Sequence, residues 1–238
     1  MRSIPFFDEN HPVETIYTDK DDINSELFSS AVFAKEIHSG SIFAVTGPDD
    51  GHIVHTDETL ITKAPGGFDS IITNVPEIMI CITTADCLPL FMYDTKEHAA
   101  AITHCGWRGI CSGIAHNTVK AMSDLYGSDP SHIICAIGPC ICKNCYEVGD
   151  ELIDCFLRDF SKDETKGFFI PKENGKYLLD MRAAVRTDLT RSGIDPESIR
   201  DCGICSFESA KYASYRRDGV VIREKQTVSG IMLKAVNG

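Results

Sequence analysis

Long apolar runs are missing from this chain. No stretch approaches the roughly 18 consecutive apolar residues that a membrane-spanning helix needs, and Met1 to Asn10 hold no charged segment leading into an apolar one, so no secretory leader is read there. Basic charge is also scarce: 23 Lys and Arg stand against 35 Asp and Glu, giving a formal net charge of −12. Such a field repels nucleic acid and anionic membrane, so an anionic ligand must be met by a local cluster of Arg or Lys. Small molecules are the expected partners, and the cytoplasm the expected location. Internal repeats, low-complexity tracts and linkers rich in Pro, Gly or Ser are absent too. With 238 residues, 43% of them hydrophobic, the chain reads as one globular domain over 1–238. Among its eight His there is no His-x-His pair, the arrangement through which a trinuclear copper cluster is gathered.

Cysteine is abundant by contrast, with eleven copies. The odd number, the chain length and the missing leader argue against a disulfide scaffold, so most are expected to be reduced core residues. Cys142-x2-Cys145 and Cys202-x2-Cys205 have the spacing of a four-cysteine zinc knuckle, but no ribbon context surrounds them. The competing reading is that Cys135, Cys140 and Cys155 pack as small hydrophobes.

The first half is read mainly as strands: Ala31 to Ile37, Ser41 to Val45, Leu60 to Thr62, Ser70 to Thr73, Ile78 to Thr84, Leu88 to Tyr93 and Ala99 to Thr103. Helices are expected from Ser112 to Tyr126, Gly149 to Phe160 and Met181 to Ser192, with His132 to Ile137 and Tyr177 to Leu179 as further strands between them. A mixed sheet is therefore expected rather than a doubly wound parallel one. Two of the apolar strands end in chemistry. Cys87 and His104 lie seventeen positions apart, in Thr84-Ala85-Asp86-Cys87-Leu88-Pro89 and His104-Cys105-Gly106-Trp107-Arg108-Gly109, the latter with the only Trp. A thiolate and an imidazole would emerge together at one sheet edge.

These segments, with Ile37-His38-Ser39, Phe68-Asp69-Ser70, Ile137-Gly138-Pro139, Cys145-Tyr146-Glu147-Val148-Gly149 and Ser214-Tyr215-Arg216-Arg217-Asp218-Gly219, occur in an order that resembles the YfiH/laccase-domain family over nearly the whole chain. That family is also labelled polyphenol oxidase and purine nucleoside phosphorylase. The resemblance implies an α/β (α+β) fold of mixed β-sheets flanked by helices, an αββα-type sandwich like that of toxin deamidases. It also implies a zinc ion held by His38, Cys87 and His104. Some departures from the family pattern stand out: Glu36 replaces a Gln, Ser39 a Gly and Cys105 an Ala. The family's Thr-Gly-Arg has only Thr227-Val228-Ser229-Gly230-Ile231 as its nearest counterpart, without the Arg. His52 and His55 compete with His38 for the third ligand place.

Two imidazoles and one thiolate leave tetrahedral zinc an open position, where water can be activated near neutral pH. The resemblance implies phosphorolysis of adenosine, inosine, guanosine and methylthioadenosine, and deamination of adenosine. The His-x-Glu and Cys-x-x-Cys signature of other zinc deaminases is not present as a linked pair. Phosphate needs an anion site, for which Arg108, Arg216 and Arg217 are the candidates. Cys87, His104 and Arg108 are thus the expected catalytic residues. Glu147 competes as acid or base with a plain capping role, and Asp86 either orients an imidazole or sets a turn. Two other readings remain open. Copper in the same His2Cys set would suit a polyphenol oxidase, and a metal-free Cys87–His104 pair would suit a cysteine hydrolase.

Overall fold

A computed structural model describes residues 7, 11–20, 28, 31–34, 36–47, 67–219 and 226–236, and the backbone of 53–56 and 59–62. The strands are β1 (Val13–Tyr17), β2 (Val32–Phe33), β3 (Ile42–Val45), β4 (Ile53–Thr56), β5 (Thr59–Thr62), β6 (Ser70–Thr73), β7 (Met79–Thr84), β8 (Leu88–Asp94) and β9 (Ala99–Cys105). Helices α1 (Trp107–Cys111) and α2 (Ile114–Tyr126) follow, then β10 (Ile133–Ile137) and β11 (Glu147–Val148). After α3 (Ile153–Phe156) and α4 (Lys162–Phe168) come β12 (Phe169–Pro171), β13 (Tyr177–Leu179), α5 (Met181–Arg191), β14 (Ile199–Asp201), α6 (Tyr215–Asp218) and β15 (Thr227–Leu233).

Two mixed sheets dominate. One has four strands in the order β1-β15-β7-β2, the other six in the order β14-β10-β8-β9-β6-β3. The central strands of the larger sheet are apolar on both faces because both faces are covered. Leu88, Leu90 and Met92 of β8 pack with α1, α2 and α5 residues such as Ile110, Val119 and Val185, while the alternate Phe91 and Tyr93 meet Ile80, Ile82 and Ile231 of the smaller sheet. The layers are therefore helices, six-stranded sheet and four-stranded sheet. Among the described residues, the outer face of the smaller sheet is met by Phe28 and Ala31 rather than by a helix. No helix among them is long and apolar enough to cross a membrane.

The structure revises several expected boundaries. Ala31 to Ile37 yields only the two-residue β2. The helix expected from Ser112 begins at Ile114, because Gly113 takes a left-handed φ of 64° and separates α1 from α2; Gly127, at φ 75°, ends α2. Gly149 to Phe160 opens as a 3-10 turn, with α helix only over Ile153–Phe156. Thr227 to Ile231, the nearest counterpart of the family's Thr-Gly-Arg, lies within β15, the inner strand between β1 and β7. Gly230 is required there, since a Cβ would sit 2.7 Å from Cys81 Sγ and 3.0 Å from Met79 Sδ across the β7 pairing. Gly230→Ala should therefore cost about 1–3 kcal/mol of stability, read as a lower urea midpoint with an unchanged m-value; an unchanged midpoint would show that the two sulfur side chains yield freely.

Candidate metal centre

The sheet topology explains why residues distant in sequence converge. Between β7 and β8 the chain passes from the smaller sheet to the larger through Ala85-Asp86-Cys87, and β8 then pairs antiparallel with β9, Leu88 opposite Cys105 and Pro89 opposite His104. Cys87 thus lies beside the end of β9, where His104 is only 3% exposed. His38 sits on a second crossing between the sheets, from β2 to β3. One donor atom from each of His38, Cys87 and His104 lies within 4.8 Å of the others. The two imidazoles are edge to face, 5.0 Å between centroids. Gly106 completes the enclosure, since a Cβ there would lie 3.1 Å from His38 Cδ2 and 3.2 Å from Cys87 Sγ.

Asp69, fully buried just before β6, holds this arrangement from beneath. Its Oδ1 lies 2.9 Å from His104 Nδ1 and accepts from the His38 backbone N–H at 2.9 Å. Its Oδ2 accepts from the Ser39 N–H at 2.6 Å and the Ser39 hydroxyl at 2.9 Å. Occupying Nδ1 leaves Nε2 of His104 for a metal, the carboxylate–histidine arrangement that fixes tautomer and ring orientation. The Ser that replaces the family's Gly thus adds a bond to Asp69. His38 and Asp86 both adopt left-handed backbone, φ 58° and 84°, a conformation that His and Asp tolerate better than most residues. Asp86 sets the turn rather than orienting an imidazole: its carboxylate accepts from the Ser206 hydroxyl and the Arg216 backbone N–H, each at 2.7 Å.

The donor set suits a metal electrostatically. Burial pushes the Cys87 thiol up, but the charge and hydrogen bond of His104, with His38 adding, bring it down to about 6. Burial pushes His104 down, but the Cys87 thiolate and the Asp69 hydrogen bond raise it to about 10. Each charged form sustains the other, so the metal-free pair at neutral pH is thiolate and imidazolium. Glu36, in place of the family's Gln, accepts from the Thr83 N–H at 2.7 Å; burial raises its pKa against the pull of the His104 charge.

The expected substrate residues divide. Arg108 belongs to the five-residue α1 rather than to the following helix, and its exposed guanidinium lies 4.2 Å from the Trp107 ring centroid. Arg216 lies over Tyr146 at 5.2 Å and donates to the Glu147 carbonyl at 2.7 Å. Tyr146 is raised first by burial and then by the Cys87 charge, while the charges of Arg216 and Arg108 lower it. Arg217 is employed elsewhere, donating to the carbonyls of Ser206, Phe207 and Tyr212 and to Asp218. Glu147 pairs with Lys172 and Lys176, whose hydrogen bonds hold its carboxyl down at about 2, which is unsuited to a general acid. His52 lies outside the described residues, and His55 is described only as backbone of the β4–β5 hairpin. Asp69 and Tyr146 lie inside family-like segments, but nothing local in the sequence distinguishes the buried carboxylate from a turn residue or the ring from packing.

The family described as multi-copper polyphenol oxidoreductase laccase matches residues 11–234. The chain belongs to this family. The chain is 32% identical over 174 residues to a purine nucleoside phosphorylase of Bacteroides thetaiotaomicron, covering 70% of this chain and 61% of that one. It is 31% identical to the purine nucleoside phosphorylase YlmD of Bacillus subtilis, covering 83% and 69%. It is 34% identical to adenosine deaminase RL5 of an unknown prokaryotic organism, covering 71% and 63%. The matches with the first and third of these span under two thirds of those relatives' length. Among solved structures, the YfiH protein of Bacillus licheniformis superposes with a TM-score of 0.75 at 29% identity, covering 88% of this chain and 78% of that one. YlmD of Geobacillus stearothermophilus gives 0.78 at 22% identity, covering 98% and 94%, a likeness of fold.

Proposed function

We propose that the chain is a zinc-dependent purine nucleoside enzyme that cleaves adenosine, inosine, guanosine or methylthioadenosine with phosphate and deaminates adenosine. The observation that carries this reading is the convergence of His38, Cys87 and His104, oriented by one buried Asp69. The names of the relatives support the substrate class. Two imidazoles and a thiolate are donors that zinc accepts readily, and three protein ligands leave a position open to substrate or water. Bound there, zinc would supply Lewis acidity and a water acidified toward neutral pH.

The chain's own residues do the remainder. Asp69 keeps His104 Nδ1 engaged, so that Nε2 faces Cys87 and His38. Tyr146 offers a ring against which a base or ribose can lie, and Arg216 and Arg108 supply positive charge for phosphate in a protein otherwise strongly acidic. In phosphorolysis a phosphate oxygen bonds to ribose C1′ as the C1′–N9 bond breaks, and its electron pair departs with the purine. In deamination a water oxygen bonds to C6 and ammonia leaves. Glu147, already ion-paired, takes no proton in either.

The test is to incubate metal-quantified protein with adenosine, with and without phosphate, and to resolve adenine, inosine and hypoxanthine. Adenine formed only with phosphate, or inosine formed without it, is expected. No product from zinc-replete protein would overturn the reading. Arg108→Ala should raise the KM for phosphate about 10- to 100-fold, the worth of a charge-assisted contact, while inosine formation without phosphate changes little. Equal loss in both reactions would place Arg108 on the nucleoside or in the scaffold.

A further inference from the structure

Outside this centre the structure gathers a second set of donors. Cys142 and Cys145 lie on the turn after β10, and Cys205 and Glu208 on the turn after β14. A single parallel bridge between Cys140 and Cys205 brings the two turns together. One donor atom from each of Cys142, Cys145, Cys205 and Glu208 lies within 4.8 Å of the others. Three of the four cysteines with knuckle-like spacing fall in this set. Cys202 lies outside this set, its Sγ accepting from the Ile204 N–H, and a carboxylate stands in its place.

We propose that Cys142, Cys145, Cys205 and Glu208 form a second metal centre, a closed structural site for a zinc-class divalent cation. The spacings are those the geometry requires. Tetrahedral zinc with bonds of about 2.3 Å to sulfur and about 2.0–2.2 Å to oxygen sets S–S edges near 3.8 Å and S–O edges near 3.5 Å. Cys142 Sγ and Cys145 Sγ are 3.6 Å apart, and Glu208 Oε1 is 3.8 Å from the first and 3.5 Å from the second. A disulfide would need about 2.05 Å, and all of these cysteines are free. The Cys142 backbone N–H points at Cys205 Sγ, 3.3 Å away, a bond that favours a thiolate. The exposed Glu208 closes the set from the solvent side.

The centre would clamp the two turns that frame the first site. Cys145 directly precedes Tyr146, and Cys205 directly precedes Ser206, whose hydroxyl holds the Asp86 turn beside Cys87. A metal here positions the ring and the turn without touching substrate.

Cys87→Ala protein separates this centre from the first one, so the result does not depend on the nucleoside reading. Purified Cys87→Ala should retain one tightly held zinc per chain. Its cobalt-substituted form should show a tetrahedral spectrum with a thiolate charge-transfer band of three-sulfur intensity. Cys142→Ser/Cys145→Ser should lose that zinc and most of the band while keeping the Cys87 contribution. Should the double variant fail to fold, the cobalt intensity of wild type, four thiolates against one, decides instead. Folded Cys87→Ala that holds no metal and gives no thiolate-to-cobalt band, or that carries a Cys142–Cys145 disulfide, would overturn the proposal.

Discussion

Replacing Cys87 with Ala is expected to abolish metal binding at the His38–Cys87–His104 centre and to lower nucleoside turnover more than about 100-fold, beyond the usual effect of losing a residue that only supports a ligand. The fold should survive. Cys87 sits on a bend whose geometry is set by Asp86 through Ser206 and Arg216, and β8 begins at the next residue with its β9 pairing intact. Removing the thiolate also removes the leading charge that raises His104, so the remaining imidazole moves toward neutrality rather than being stranded as a buried cation. Metal analysis, circular dichroism and product chromatography on the same sample check all three expectations. Turnover retained by the metal-free variant would sink the zinc mechanism, whereas loss of turnover from a metal-free wild type with unchanged fold would count against the cysteine-hydrolase reading.

The same pair predicts how metal affinity depends on pH. A metal requires Cys87 deprotonated and His104 neutral. In the metal-free protein Cys87 titrates at about 6 and His104 at about 10. Between these values the thiolate is already formed while the imidazole still carries its proton, so binding expels one proton and affinity rises about tenfold per pH unit. Below the Cys87 value a second proton must leave and the slope steepens. Calorimetric titration of the Cys142→Ser/Cys145→Ser protein, in buffers of different ionisation enthalpy, should return one proton released per ion at neutral pH, and a pH-independent affinity would contradict the thiolate–imidazolium pairing.

The strands of the large sheet were legible because burial on both faces leaves short unbroken apolar runs between turn residues, as in Leu88–Asp94 and Ala99–Cys105. The outermost strand β1 and the inner β15 were not, since Thr15, Ser229 and Gly230 interrupt their apolar pattern although all belong to buried pairings. Gly230 in particular reads as a turn residue until the crowding against Cys81 is known. In the site, a thiol and imidazoles announce themselves by residue type, and the resemblance selected among them. Asp69 did not announce itself, because its role arises only when β6 and β9 are neighbours and the His38 segment folds over both. Glu147 and Arg217 carried the right chemistry for catalysis or binding, yet Lys172, Lys176 and the carbonyls of one loop claim them, and those partners are distant in sequence or hidden in the backbone.

Asp69→Asn should be the most damaging substitution away from the ligands themselves. The carboxylate accepts from His104 Nδ1, the backbone N–H groups of His38 and Ser39, and the Ser39 hydroxyl. An amide of the same shape puts an NH2 donor against two of these donors and removes the charge that the others answer, so a loss of about 3–5 kcal/mol in stability is expected. With His104 free to change tautomer and the His38 turn released, metal affinity should fall about 10- to 100-fold. Burial pushes the Asp69 carboxyl up, but the His104 and Ser39 bonds bring it below its ordinary 3.8. As pH falls, the unfolded chain therefore takes up this proton first. The stability conferred by the carboxylate is fully present above 3.8 and is lost as pH drops through the depressed folded value, so wild type and Asp69→Asn should converge in acid and diverge toward neutrality. Urea midpoints across that range, with nitrogen NMR of the His104 ring in the zinc-loaded forms, separate the outcomes. A variant of equal midpoint that keeps wild-type affinity and the Nδ1–H tautomer would show that β9 alone orients His104.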